Sequence, residues 1–228
     1  MSCLINDELI WVSVPKCASM SIENALKNSK LKLEKHTPVG IDLHYHVPLN
    51  MCYNVFGKKE SICITRDWFS RWLSALNWVW DVIEYHSGFN PICKWEDIDN
   101  EFIYKTFNSE FCNHLHQAYD EAYLKCFAML IENKEENLSN IPIEIASIVC
   151  ILISQKYYKD NLKCTYEFDI KDMDKFVDFI ENKFGEKLII ENKNVSTKRP
   201  NKIIINDELK EFVWNNFEKI FEKKNNLI

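Results

Sequence analysis

Short, mainly apolar runs alternate along the chain with longer stretches in which apolar residues recur every three or four positions. Residues 8–14 (ELIWVSV) form the first run, stopped by Pro15. A run this short, rich in branched and aromatic residues, predicts a buried strand. Residues 61–65 (SICIT), 125–131 (KCFAMLI) and 163–168 (KCTYEF) are runs of the same kind. Between them the period changes. Ile22, Ala25 and Leu26 share one face of a helix predicted over 19–28, and Phe69, Trp72, Leu73, Leu76, Trp80 and Ile83 share the face of a helix that follows Thr65. Met173, Phe176, Val177, Ile180 and Phe184 mark a third helix; Ile205, Leu209, Phe212, Val213, Phe217, Ile220 and Phe221 mark a fourth. Each set fits one helical stripe. Strands alternating with helices predict an α/β fold with a central, largely parallel sheet flanked by helices. No repeat or Pro/Gly/Ser linker divides the chain, so residues 1–228 read as a single domain.

Composition narrows the classes. Of 228 residues 46% are hydrophobic and 13% aromatic, enough for a real core and too many for disorder. A formal net charge of −6 argues against a nucleic-acid surface. The N-terminal apolar run ends after seven residues and the longest apolar stretch, 141–154, carries Glu144, whereas a membrane span needs about 20 apolar residues. The nine cysteines are odd in number, lack any C-x-x-C and often sit inside apolar runs, as in SICIT and IVCILI. They read as reduced, buried thiols, which predicts a cytoplasmic setting. Four scattered glycines exclude a G-x-G-x-x-G turn and a Walker A loop. Lysine so far outnumbers arginine that only Arg66, Arg71 and Arg199 occur. The bias toward Ile, Asn and Lys suggests an AT-rich genome, microbial or viral, and makes each surviving arginine informative.

In α/β sheets ligands bind beyond the carboxyl ends of strands, so two strand-to-helix junctions carry the candidate chemistry. The first is Pro15-Lys16-Cys17-Ala18-Ser19-Met20-Ser21-Ile22. A helix start offers unpaired N–H groups and a positive dipole end, to which Ser19 and Ser21 add hydroxyls and Lys16 a cation. The same residues also suit a plain turn with serine as N-cap. The second is Arg66-Asp67-Trp68-Phe69-Ser70-Arg71-Trp72-Leu73-Ser74. Arg66 and Ser74 are positioned there to close on one phosphate, while Arg71 serves either the same purpose or an i,i+4 pair with Asp67.

Together the two motifs resemble those of the PAPS-dependent sulfotransferases, P-K-x-G-[ST]-[ST]-[ST] for the 5′-phosphosulfate and R-[DN]-P-x-x-R-x-x-S for the 3′-phosphate. Three positions depart from the pattern: Ala18 for Gly, Met20 for a hydroxyl residue and Trp68 for Pro. The resemblance implies a three-layer sulfotransferase-like (nucleoside-triphosphate-hydrolase-like) fold, with 3′-phosphoadenosine 5′-phosphosulfate (PAPS) as sulfuryl donor, PAP as product and no metal. Residues 15–22, Arg66 and Ser74 would bind the nucleotide. Thr197, Lys198 and Arg199 would belong to the basic loop that covers its phosphates. Lys16 would stand at the leaving group. The segment Leu43-His44-Tyr45-His46-Val47 resembles the H-x-H-V of carbohydrate 2-O-sulfotransferases, which makes His46 the first candidate base and His44 a substrate residue. His36 is the second candidate base. His114 and His116 are further candidates for acceptor contacts, and with Cys112 they lack a fourth ligand for zinc. The implied acceptor is a hydroxyl, of a carbohydrate before a small phenol, with no nucleic acid and no membrane partner. The alternatives are a sulfotransferase-like module that binds PAP or PAPS without turnover and, further off, a nucleotide kinase.

Overall fold

The chain opens with a hairpin that the apolar pattern hides. In the computed structural model, which describes residues 2–34, 46, 49–85, 93–108, 112, 150–152, 154–159, 163–191 and 200–219, strand β1 (Cys3–Ile5) turns back on β2 (Leu9–Val12). Asn6 and Asp7 make the turn, both left-handed, with φ 47° and 61°. Asn and Asp tolerate that region, and two such residues in succession give the tight turn whose twist matches antiparallel strands. β1 also pairs antiparallel with β3 (Leu33–Glu34). On its other side β2 runs parallel to β4 (Glu60–Thr65), which runs parallel to β5 (Tyr166–Asp169). The five-stranded sheet has the order β3-β1-β2-β4-β5. It is therefore mixed. The expectation of a largely parallel sheet is corrected at the β3-β1-β2 end, where β1 pairs antiparallel with both of its neighbours.

Helices α1 (Ser19–Lys27), α2 (Leu49–Phe56), α5 (Gln155–Tyr158) and α6 (Met173–Phe184) share the sheet's part of the chain, whereas α3 (Trp68–Tyr85), α4 (Asn100–Thr106) and α7 (Asp207–Val213) belong to a separate one. The chain divides into two compact units, Met1–Asp67 with Gln155–Val195, and Trp68–Ser154 with Ser196–Ile228. In the first, Ile10, Trp11, Val12, Ile62 and Ile64 of the parallel strands are buried together with Ile22 and Leu26 of α1 and Phe176 and Ile180 of α6. The Trp11 and Phe176 rings lie 5.7 Å apart. Gly185, left-handed at φ 70°, ends α6 where a side chain would be strained. β5 starts three residues later than the apolar run suggests. Thr165 and Ser61 exchange side-chain bonds with each other's backbone N–H groups (3.0 and 3.1 Å), and these take the place of ladder bonds.

In the second unit Trp72, Leu76, Trp80 and Ile83 of α3 are fully buried, as their spacing predicts. Trp72 meets the rings of Phe107 and Phe217, and the Trp80 indole N–H donates to Cys93 O at 3.0 Å. The last helix begins later than predicted. Asn206 caps it by accepting from Leu209 N, so Ile205, 60% exposed, lies ahead of the helix and outside its apolar stripe. After α7 the chain widens into a π-turn (Trp214–Glu218), closed by Lys219 N donating to Trp214 O. The strand predicted over 125–131 lies outside the described residues, as do Ile220 and Phe221. Among the described residues no helix is long and apolar enough to cross a membrane.

Candidate functional site

Adjacent parallel strands finish at the same edge of a sheet, and this brings the first junction to Arg66. β2 and β4 pair from Leu9↔Glu60 to Val12↔Cys63, so the chain leaving β2 at Ser13 and the chain leaving β4 at Arg66 emerge together. The turn after β2 has an unusual backbone. Lys16 (φ 63°) and Ala18 (φ 58°, ψ 18°) are left-handed, on either side of Cys17. Each costs a non-glycine residue about 1–2 kcal/mol, and such strain collects where backbone N–H groups must point to one side. Ala18 is the N-cap of α1 and makes no side-chain cap bond. Ser19 and Ser21 are buried in the first turn, whereas Met20, the position expected to lose a hydroxyl donor, is 49% exposed and points to solvent. The side chains of Pro15, Cys17 and Ile22 face inward, so these residues have only backbone groups to offer a ligand.

Arg66 joins this turn. Its guanidinium Nη1 lies 3.5 Å from Lys16 O, across fifty positions of sequence. Its backbone is held by Gln155 of α5, whose Oε1 accepts from Arg66 N (3.2 Å) and whose Nε2 donates to Arg66 O (2.8 Å). Gln155 Oε1 also lies 4.0 Å from Cys17 Sγ. The side-chain amide thus acts like a short neighbouring strand, fixing the residue that leaves β4 and touching the turn that leaves β2. The sequence gives no local signal of this, since Gln155 and Arg66 lie 89 positions apart.

His46 is anchored at the same strand end. Its Nδ1 lies 2.7 Å from Ser13 O and 3.2 Å from Ser13 Oγ, and its ring is edge-on to Tyr158 at 6.1 Å. A carbonyl can only accept, so the Nδ1 that faces it carries the proton and Nε2 is the acceptor. Burial pushes the imidazole pKa down to about 4, against the raising effects of the Ser13 carbonyl and the Glu23 charge and with a further lowering from Lys16. Glu23 itself is buried on α1, 2.6 Å from Lys27 Nζ. Burial is the largest single effect and would raise its carboxyl pKa, but neighbouring positive charge, Lys27 foremost, holds it below the usual value.

The remaining candidates separate. Ser74 is half-buried in the second unit. Arg71 is fully buried there, and its guanidinium donates to Ile151 O (2.9 Å) and Leu152 O (3.3 Å), holding the 3-10 turn Cys150–Leu152 against α3. His36, His44, His114, His116, Thr197, Lys198 and Arg199 lie outside the described residues. A cleft of about 240 Å³ runs along α1 from Ser21 past Asn24 and Asn28 to Glu186 and Glu191. Its two carboxylates outweigh the one ammonium of its lining, Lys187, which makes it a poorer place for an anion. The edge formed by 16–21 and Arg66 is better suited, with two cationic side chains, two buried hydroxyls and a helix start. Compared with models of known protein families, with curated proteins and with solved structures, the chain matches none.

Proposed function

We propose that the chain is a PAPS-dependent sulfotransferase that moves a sulfuryl group to a hydroxyl, of a carbohydrate by preference. The observation that supports this most is the 3.5 Å approach of Arg66 Nη1 to Lys16 O at the shared edge of β2 and β4, which brings the first residue of the second motif to the turn of the first. On this reading the N–H groups and hydroxyls at the start of α1 hold the phosphosulfate, and Arg66 pairs with the 3′-phosphate. The acceptor oxygen attacks sulfur in line and gives its proton to His46 Nε2. The bond from sulfur to the bridging oxygen breaks, and Lys16 meets the charge that develops on the departing phosphate. His46 suits the base role because its Nδ1–H is occupied by Ser13 O, leaving Nε2 able to accept.

One observation favours a second reading, a module that binds PAP or PAPS without turnover. An imidazole whose conjugate acid has a pKa of about 4 is a weaker base than an exposed histidine. Calorimetry with PAP and transfer of radiolabelled sulfate from PAPS to a panel of hydroxyl acceptors separate the two. The enzyme binds PAP and labels an acceptor, Lys16→Ala and Arg66→Ala each abolish labelling, and His46→Ala keeps PAP binding while losing turnover. PAP binding with no labelled acceptor supports the module. Stabilisation by ATP–Mg²⁺ and not by PAP would overturn both readings in favour of a nucleotide kinase.

A further inference from the structure

The pairing of β4 with β5 sets Cys63 directly opposite Glu167. Side chains paired across parallel strands rise from the same face of the sheet. Cys164, three residues before Glu167, completes a group of three whose ligand atoms all lie within 4.8 Å of one another. We propose that Cys63, Cys164 and Glu167 form a site for a thiolate-seeking divalent cation, zinc by its ligand chemistry. Two sulfurs on one tetrahedral zinc stand about 3.8 Å apart, given Zn–S bonds of about 2.3 Å, so the group needs to contract by no more than about 1 Å. A set of two sulfurs and one carboxylate suits zinc over calcium or magnesium, which take oxygen.

Three surroundings fit a bound cation. Cys63 and Cys164 are buried and shut out water on one side, while Glu167 is exposed and gives an entry path and a fourth position for solvent. The carboxylate is already oriented, because Cys164 N donates to Glu167 Oε1 at 3.0 Å, the outer bond that ligating carboxylates use. The charge closes as well. Two thiolates, one carboxylate and a divalent ion sum to −1, and the Lys159 ammonium, 2.9 and 3.1 Å from the two Glu167 oxygens, brings this to zero. Binding releases two thiol protons to solvent and forms two metal–sulfur bonds and one metal–oxygen bond, with no change of oxidation state. A search for C-x-x-C passes over the site, because its ligands are a C-x-x-E that runs into β5 and one cysteine of β4.

The test uses the full chain, stripped of metal by a chelator and kept reduced by a phosphine. Cobalt(II) is added and the thiolate-to-cobalt charge-transfer band is followed. One equivalent saturates the band, zinc displaces it, and zinc at a hundredfold excess over its Kd raises Tm by roughly 5–10 °C. Cys164→Ser and Glu167→Gln each weaken cobalt binding by more than the roughly 10–100-fold expected for losing an outer partner, whereas Cys93→Ser leaves it unchanged. Should Cys164→Ser fail to fold, the wild-type chain still decides, since each zinc bound in weak buffer releases two protons. No band, a band retained within twofold in Glu167→Gln, or zinc uptake without proton release would overturn the site. PAP affinity does not enter these readouts, so they stand apart from the sulfotransferase reading.

Discussion

Ala18 occupies a conformation that alanine pays for and glycine does not. At φ 58° its Cβ crowds the backbone, at a cost of about 1–2 kcal/mol, while glycine would lose about 0.5–1 kcal/mol more chain entropy on folding. Ala18→Gly is therefore expected to stabilise the protein by about 0.5–1 kcal/mol, read as a rise in the denaturation midpoint with an unchanged slope. His46 carries the complementary prediction in pH. Folded, it stays neutral down to about pH 4; unfolded, it takes up a proton below about pH 6.5. Between those values the unfolded chain binds more protons, so stability falls as pH falls, by up to about 3 kcal/mol from this group. Equilibrium unfolding at stepped pH checks this, because His46→Gln flattens that part of the curve. If His46 is the base, the acid limb of kcat/KM also lies below pH 6.5, since the base acts only when neutral. At this scale the candidates Lys16, Ser19, Ser21 and Arg66 were legible as residue types at set spacing, and His46 through the H-x-H-V resemblance; the chemistry assigned to them is the proposal. The left-handed angles of Lys16 and Ala18 were not legible, because neither residue advertises them as glycine would.

Elements whose period is sustained were readable from the chain. α1, α3 and α6 follow their apolar stripes, and β2 and β4 follow their apolar runs, because in each case burial of one face decides the conformation. What escaped was held by other forces. The β1–β2 hairpin rests on two turn residues, and β3 is only two residues long, too short for any pattern. Gln155 is an element-level device, since α5 exists in part to present one amide to the end of β4. Gln155→Leu keeps the shape and leaves the N–H and C=O of Arg66 without those partners, which costs about 1–3 kcal/mol. The same change lets Arg66 drift from the Lys16 turn, so PAP affinity is expected to fall about tenfold, or roughly 1.4 kcal/mol. Denaturation and calorimetry on one variant give both numbers. A stability loss with unchanged PAP affinity would separate Gln155 from the binding edge.

For the whole molecule, the arginines show how far scarcity can be trusted. Taking each arginine spared by codon drift as informative left Arg71 open between a phosphate contact and an i,i+4 pair with Asp67. Arg66 remains at the candidate edge in the first unit, while Arg71 is at the centre of the second, fully buried and bound to the carbonyls of Ile151 and Leu152. Its retention has a structural cause: one planar guanidinium serves two carbonyls, which a lysine ammonium on a flexible stem does less well. Arg71→Met keeps the apolar stem and removes both donors, at an expected cost of about 1.5–3 kcal/mol. Because those bonds lie wholly within the second unit, the folded variant is expected to hold PAP within twofold of wild type. Chemical denaturation reads the first effect, and calorimetry below the unfolding transition reads the second. A loss of PAP affinity of tenfold or more in the folded variant would instead make Arg71 a phosphate ligand, and would mean that its bonds to the 150–152 turn open when the nucleotide binds.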